Sequence, residues 1–368
     1  MLNQPVNPPV NSSRLASLDG WRAVSIALVL GEHCEGAAGF PPSLATPFNW
    51  LFDGMVGVRF FFIISGFLIT WLLVREHDRT GRISLKHFYA RRALRILPVY
   101  AAFVGVLGLL AWLTPYRQAA LVWLGNLTFT ADFIPLAPTS GHLWSLSVEE
   151  QFYLLWPCLL VLFGLAGRTR RAWYVLAVPL LLAPFFRVES YLTMKHATTA
   201  GIFYRYSFFN FFDSLTVGCL CAFLLARKRE WLEGVLTRRP WMVLLAAVVA
   251  ITVPYALRKM FLLGGFIVPF GSIVGSFGFA ALMMQSIVLP EFWVFRPLNW
   301  RWVRWIGVLS YSIYIWQQIF CTEPEQFGLN PHWWNSFPGW LVTALAAAMI
   351  SYYGLERPLF RLRSRFRD

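Results

Sequence analysis

Arg22 and His33 interrupt an otherwise apolar run, "LDGWRAVSIALVLGEHCEG", residues 18–36. Eleven helical steps come to roughly 20° past three full turns, so the two side chains share one helix face, roughly 16 Å apart along the axis. Each is costly to bury in lipid, and ionisable groups inside a membrane segment point to function by default. Two such groups on one face, near opposite leaflets, describe a buried polar path. The plainer reading has Arg22 snorkelling to one interface and His33 hydrogen-bonding between helices.

Three further stretches carry candidate chemistry. In "FYARRALRILP", residues 88–98, Arg92 and Arg95 are three apart, on one face of a helix expected to stop before Pro98. Such a fork suits a phosphate-bearing ligand, although anchoring at anionic headgroups needs no more than positive charge. In "GHLWSLSVEEQFYLLWP", residues 141–157, Glu149 and Glu150 enter an apolar helix, with Ser145 or Ser147 expected as its cap. A carboxylate at the depth of His33 would orient the imidazole and stabilise its protonated form; the same layer can receive His142. In "GVRFFFIISGFLIT", residues 57–70, Ser65-Gly66 permits close helix packing. Asp213 is expected to pair with an arginine such as Arg59 or Arg205 in a structural role.

These residues need a scaffold that can hold charge inside apolar surroundings. The 368 residues are 57% hydrophobic and only 14% charged, against about 25% charged in soluble chains. Repeated stretches of spanning length make this an all-α polytopic membrane protein. We expect about ten transmembrane helices, near residues 18–37, 55–74, 97–114, 147–166, 172–188, 207–226, 241–257, 264–289, 305–321 and 338–356. The piece 119–131 is too short to span and is read as a re-entrant or interfacial helix. With that arrangement most of the 32 Lys and Arg residues fall on one side, which the positive-inside rule makes the cytoplasm, together with both termini. The net charge of +14 is then an orientation signal, and nucleic acid is not an expected partner. The five cysteines sit in or beside apolar stretches without metal-like spacing, so neither a metal site nor a disulfide framework is expected. A disordered cytoplasmic tail over 1–14 with no cleavable signal peptide, one transmembrane domain over 15–357 and a basic cytoplasmic tail over 358–368 complete the expected organisation.

Six motifs, in order, resemble the membrane acyltransferase-3 family: "LDGWRAVSIALVLGEH", "GVRFFFIISGFLIT", "FYARRALRILPVY", "HLWSLSVEEQFYLLWP", "IGVLSYSIYIWQ" and "YYGLERPLFRLR". Their collinearity over nearly the whole chain carries the resemblance. It implies an integral-membrane O-acyltransferase in a cell inner (plasma) membrane, without metal. The donor would be cytoplasmic acetyl-CoA or another acyl-CoA, and the acceptor a sugar hydroxyl of a surface polysaccharide or lipid-linked glycan at the outer face. By the same resemblance Arg22 matches the family's arginine, Arg92 and Arg95 its motif for CoA phosphates, and His33 and Glu149 its catalytic positions. Glu356 matches a glutamate without an assigned role, and Gln317 stands where the family commonly has histidine.

Residues and resemblance then agree on a route. The phosphates of CoA would be held by Arg22, Arg92 and Arg95, and its pantetheine arm would follow the polar face of the first helix toward His33. There the imidazole either deprotonates the acceptor hydroxyl or is transiently acylated. With no extracytoplasmic domain in this sequence, transfer is expected to finish within the membrane domain. A transporter or flippase of a lipid-linked sugar, using Arg22 and His33 as its path, is the other reading the residues allow.

Overall fold

Local signals set several helix ends. Asp53 starts one helix by accepting the Val56 N–H at 2.9 Å, and Gly81 ends it at φ 74°, a left-handed conformation that suits glycine. Ser84 starts the next. The computed structural model describes residues 16–195 and 206–362, and every regular element among them is helical. The expected tail over 1–14, Arg205 and the end of the basic tail from 363 on lie outside the described residues.

In chain order the helices are α1 (Ala16–Glu35), α2 (Pro42–Leu51), α3 (Gly54–Thr80), α4 (Leu85–Leu113), α5 (Ala120–Thr128), α6 (Leu143–Leu162) and α7 (Thr169–Lys195). Then follow α8 (Phe212–Arg227), α9 (Arg229–Arg238), α10 (Pro240–Lys259), α11 (Ser272–Val288), α12 (Arg301–Cys321), α13 (Gly339–Ser351) and α14 (Arg357–Leu362). A π-helical segment, Ile267–Gly271, leads into α11, and another, Tyr352–Glu356, joins α13 to α14. Each of the ten expected membrane segments coincides with one of these helices or helical runs. Among the described residues, five stretches are long and apolar enough to cross a bilayer: Pro42–Thr80, Leu85–Leu113, Thr169–Met194, Pro240–Lys259 and Gly264–Val288.

Two expectations need correction. α4 does not stop before Pro98 but runs through it to Leu113. In apolar surroundings nothing competes for the freed backbone groups, so interrupting the helix would cost more than one missing bond. Neither Ser145 nor Ser147 caps α6. The helix starts at Leu143, and both hydroxyls bond back to carbonyls within it, Ser145 to His142 and Ser147 to Leu143, each at 3.1 Å. Glu149 and Glu150 therefore lie in the second turn, beyond the reach of a cap. The short helices α2 and α9 were not foreseen.

α1 is central, packed between α3 and α12, while α3 lies against α8, α8 against α7 and α11, and α12 against α13. The α3–α8 contact depends on two glycines: a Cβ on Gly66 would overlap the Leu215 carbonyl, and one on Gly218 the Ile63 carbonyl. Gly66→Ala should therefore push α8 away, costing about 1–3 kcal/mol. Gly105 on α4, with open space around it, provides the control. A melting curve in detergent should show a lower midpoint for Gly66→Ala and none for Gly105→Ala.

Outside the long helices, Asp132 links α6 to residue 208: it accepts from Gln151 Nε2 at 2.8 Å and from the Phe208 N–H at 3.1 Å. Burial pushes its carboxyl up to about 6, against those two bonds.

Candidate active site

Four of the five residues singled out for catalysis or donor binding meet in one cavity. Arg22 comes from α1, Arg92 and Arg95 from α4 and Glu149 from α6, around a space of about 60 Å³. The three-residue spacing places both α4 arginines on this wall despite Pro98. Arg92 lies over the Tyr153 ring, 3.6 Å from its centroid, a cation–π contact favoured where water is scarce. The Tyr153 hydroxyl donates to Ser65 Oγ at 3.0 Å, and Ser65 donates to Glu149 Oε1 at 2.7 Å. Ser65 is thus polar machinery as well as a small residue beside Gly66.

Each arginine also has a carboxylate within electrostatic reach outside the cavity wall: Asp19 for Arg22, Glu150 for Arg92 and Glu356 for Arg95. Ser312 donates to Glu356, so the last helical run supports Arg95 from behind. Arg22 Nε and Arg92 Nε are buried without a hydrogen-bond partner among the described residues. Donors left unpaired in an apolar interior are costly unless a ligand uses them. Three guanidiniums facing one lining carboxylate can hold a phosphate group.

His33 is elsewhere. It lines a second space of about 340 Å³ with Glu32, His142 and Gln318. Glu149 does not line this space, so it cannot be the group that orients the imidazole by direct contact. The side chain of Gln317, which follows the α12 aromatic run, lies within hydrogen-bonding reach of the His33 ring. His33 Nδ1 is buried without a partner among the described residues. Glu32 turns away to accept the Gly54 N–H. His142 does join His33, as its place in the sequence allows; its Nε2 lies 3.1 Å from the Ile315 carbonyl and its Nδ1 is unpartnered.

The two spaces share a wall made by Val58 and Tyr314. The Tyr314 hydroxyl lies 2.6 Å from Ser145 Oγ and 3.0 Å from the His142 carbonyl. One face of α1 therefore carries Arg22 to a phosphate-like cage and His33 to a wider chamber, with one tyrosine between them. Tyr314 and Tyr153 were missed in the sequence. Tyr153 had a signal, since it follows Glu149 by four residues and so shares its helix face. Tyr314 had none, because its role depends on the α12–α6 contact.

Asp213 pairs with Arg59 at 3.7 Å, as expected, and also with Arg187, which was not foreseen.

Comparison with known proteins places this chain among acyltransferases. A family model described as an acyltransferase domain matches residues 15–356. The chain is similar to a putative peptidoglycan O-acetyltransferase, YrhL of Bacillus subtilis (strain 168), at 26% identity over 94% of this chain and 55% of the relative. It is similar to peptidoglycan O-acetyltransferase OatA of Listeria monocytogenes at 28% identity, over 93% of this chain and 55% of the relative. A putative O-acetyltransferase of Staphylococcus aureus (strain COL) matches at 34% identity over 42% of this chain and 26% of its own. The chain thus spans about half the length of the first two. No solved structure matches.

Proposed function

The chain belongs to the acyltransferase-3 family, and from that premise we propose that it is a membrane O-acetyltransferase moving an acetyl group from acetyl-CoA to a sugar hydroxyl of a surface polysaccharide or lipid-linked glycan. The single observation carrying this reading is the pair of cavities that meet at Tyr314 along one face of α1. Arg22, Arg92 and Arg95 hold the donor's phosphates from the cytoplasmic side, where an anion too polar to cross lipid would be met. Tyr153 holds the Arg92 guanidinium by stacking, and Glu149 shares the cage wall with all three arginines. At about 60 Å³ the cage takes only a couple of water-sized volumes, so the donor enters as Tyr314 and the arginine side chains move aside.

In the wider chamber His33 removes the proton of the acceptor hydroxyl. The freed oxygen attacks the thioester carbonyl, the carbon–sulfur bond breaks, and His33 returns its proton to the leaving thiolate. Gln317 holds the ring for this work without exchanging protons itself, which a glutamine can do as well as a histidine. Two relatives carry peptidoglycan in their names, so peptidoglycan is the first acceptor to test. A flippase would need the same polar path but no acyl donor, and the match to an acyltransferase family model favours a donor.

The test is NMR of surface polysaccharide and peptidoglycan, scoring ester-linked acetyl groups in a strain lacking the gene and in the same strain complemented with it. Acetyl signal should return only on complementation. Its absence in both strains, together with no transfer of label from radioactive acetyl-CoA in membranes, would sink the reading.

A further inference from the structure

We propose that a third cavity, apart from the two above, binds the phosphate-bearing headgroup of an anionic membrane lipid. The cavity is a slot of about 260 Å³ between α3, α10 and α11, and it shares only Met55 with the histidine chamber. Three observations converge on it.

Charge is the first. The carboxylate of Asp213, fully buried, serves two guanidiniums, buried Arg187 on one oxygen and partly buried Arg59 on the other. One carboxylate cannot neutralise two cations, and an uncompensated charge is costly in an apolar interior. Arg59 is the member that lines the slot. It lies 3.1 Å from Ser214 Oγ, which in turn lies 3.1 Å from Ser276 Oγ on the slot wall. At the mouth, Arg258 pairs with Asp53, Lys259 lies 3.7 Å from the same carboxylate, and Glu32 is nearby. That outer group is balanced, so the surplus belongs to the deep end.

The second observation is the backbone. The slot is bordered by the π-helical segment Ile267–Gly271, whose Pro269 carbonyl accepts from Arg187 Nη1 at 2.8 Å. Such widened turns inside helices recur at functional sites. The same arginine that leaves Arg59 in surplus thus holds the wall in shape.

The third observation selects a lipid over a soluble anion. The remaining lining is apolar, with Phe60, Ile251, Pro254 and Ile267. α10, which forms one side, has only 11% of its apolar stretch buried, which leaves that stretch open to lipid. A headgroup phosphate between Arg59 and Arg258 would leave its acyl chain along Ile251 and Ile267. This site does not depend on acyl transfer, and its occupancy is measured separately from it.

The experiment is native mass spectrometry of lipid retained by the full chain after reconstitution into vesicles of equal phosphatidylglycerol and phosphatidylcholine. The protein should keep phosphatidylglycerol in preference. In Arg59→Gln that retention should fall about tenfold, the value of one charge-assisted hydrogen bond, while Arg187 keeps Asp213 paired and the fold intact. Gly275→Leu narrows the slot without removing a charge; Gly275 lines it, and a Cβ there makes only ordinary contact, 3.9 Å from the Ala250 carbonyl oxygen. It should lower retention equally. Equal retention of both lipids, or full retention in Gly275→Leu, would overturn the proposal. So would a rise in melting temperature with glycerol phosphate alone as large as that with phosphatidylglycerol, which would make the ligand a soluble phosphate.

Discussion

His33→Ala is expected to lower kcat for acetyl transfer on the order of 10²–10⁴-fold, the contribution of a positioned general base, and to leave the KM for acetyl-CoA nearly unchanged. The split follows from the two cavities. The arginine cage that would hold the donor is lined by α1, α3, α4, α6 and α12, and His33 is not part of it. Its removal deletes proton transfer and leaves donor binding in place. Gln317→Ala tests the same arrangement from the other side. It removes the bond to the ring but not the base, so its loss in kcat should be smaller. Label transfer from acetyl-CoA in proteoliposomes, at matched protein amounts, reads both. Full activity in His33→Ala would end the assignment. Equal losses in the two variants would mean that the ring acts only through its orientation.

Arg92→Ala should raise the KM for acetyl-CoA about 10–100-fold, the worth of a charge-assisted bond to phosphate, with a much smaller change in kcat. Arg92 makes two interactions that alanine cannot: its guanidinium faces the cage and stacks on Tyr153. Arg92→Lys should recover only part of the loss, because an ammonium keeps the charge but neither fork nor plane. Tyr153→Leu separates the contributions, removing the stacking surface and the bond to Ser65 while keeping the charge. Competition of donor analogues lacking the terminal phosphate gives a further check, since they should lose less affinity on Arg92→Ala than intact acetyl-CoA. A fall in kcat with unchanged KM would contradict the cage as the donor site.

Much of the architecture was legible along the chain because apolar length and charge placement are one-dimensional signals. The ten expected segments match helices or helical runs, with ends off by several residues where caps such as Asp53 and Gly81 decide. Helical period placed Arg22 and His33 on one face and Arg92 beside Arg95, and both relations hold. Errors arose where a local rule met a stronger condition. Proline ends helices in water, yet α4 runs through Pro98. Serine caps helices, yet Ser145 and Ser147 sit inside α6 and bond back to its carbonyls.

By itself the sequence determined the helical class, the helical segments and the family, and it offered five candidate site residues, because residue type and spacing within one helix are properties of the chain. Which of those residues would meet depended on helix packing. The packing of α1, α3, α4, α6 and α12 put Glu149 with the arginines, gave His33 to Gln317, and set Tyr314 between the two cavities. The surplus guanidinium at Arg59 likewise arises only when α3, α7 and α8 come together on Asp213. A buried carboxylate calls for a cation, so Arg59 was expected beside Asp213, but the arrival of Arg187 on the same carboxylate left no mark in local sequence, because that energy exists only after the helices have packed.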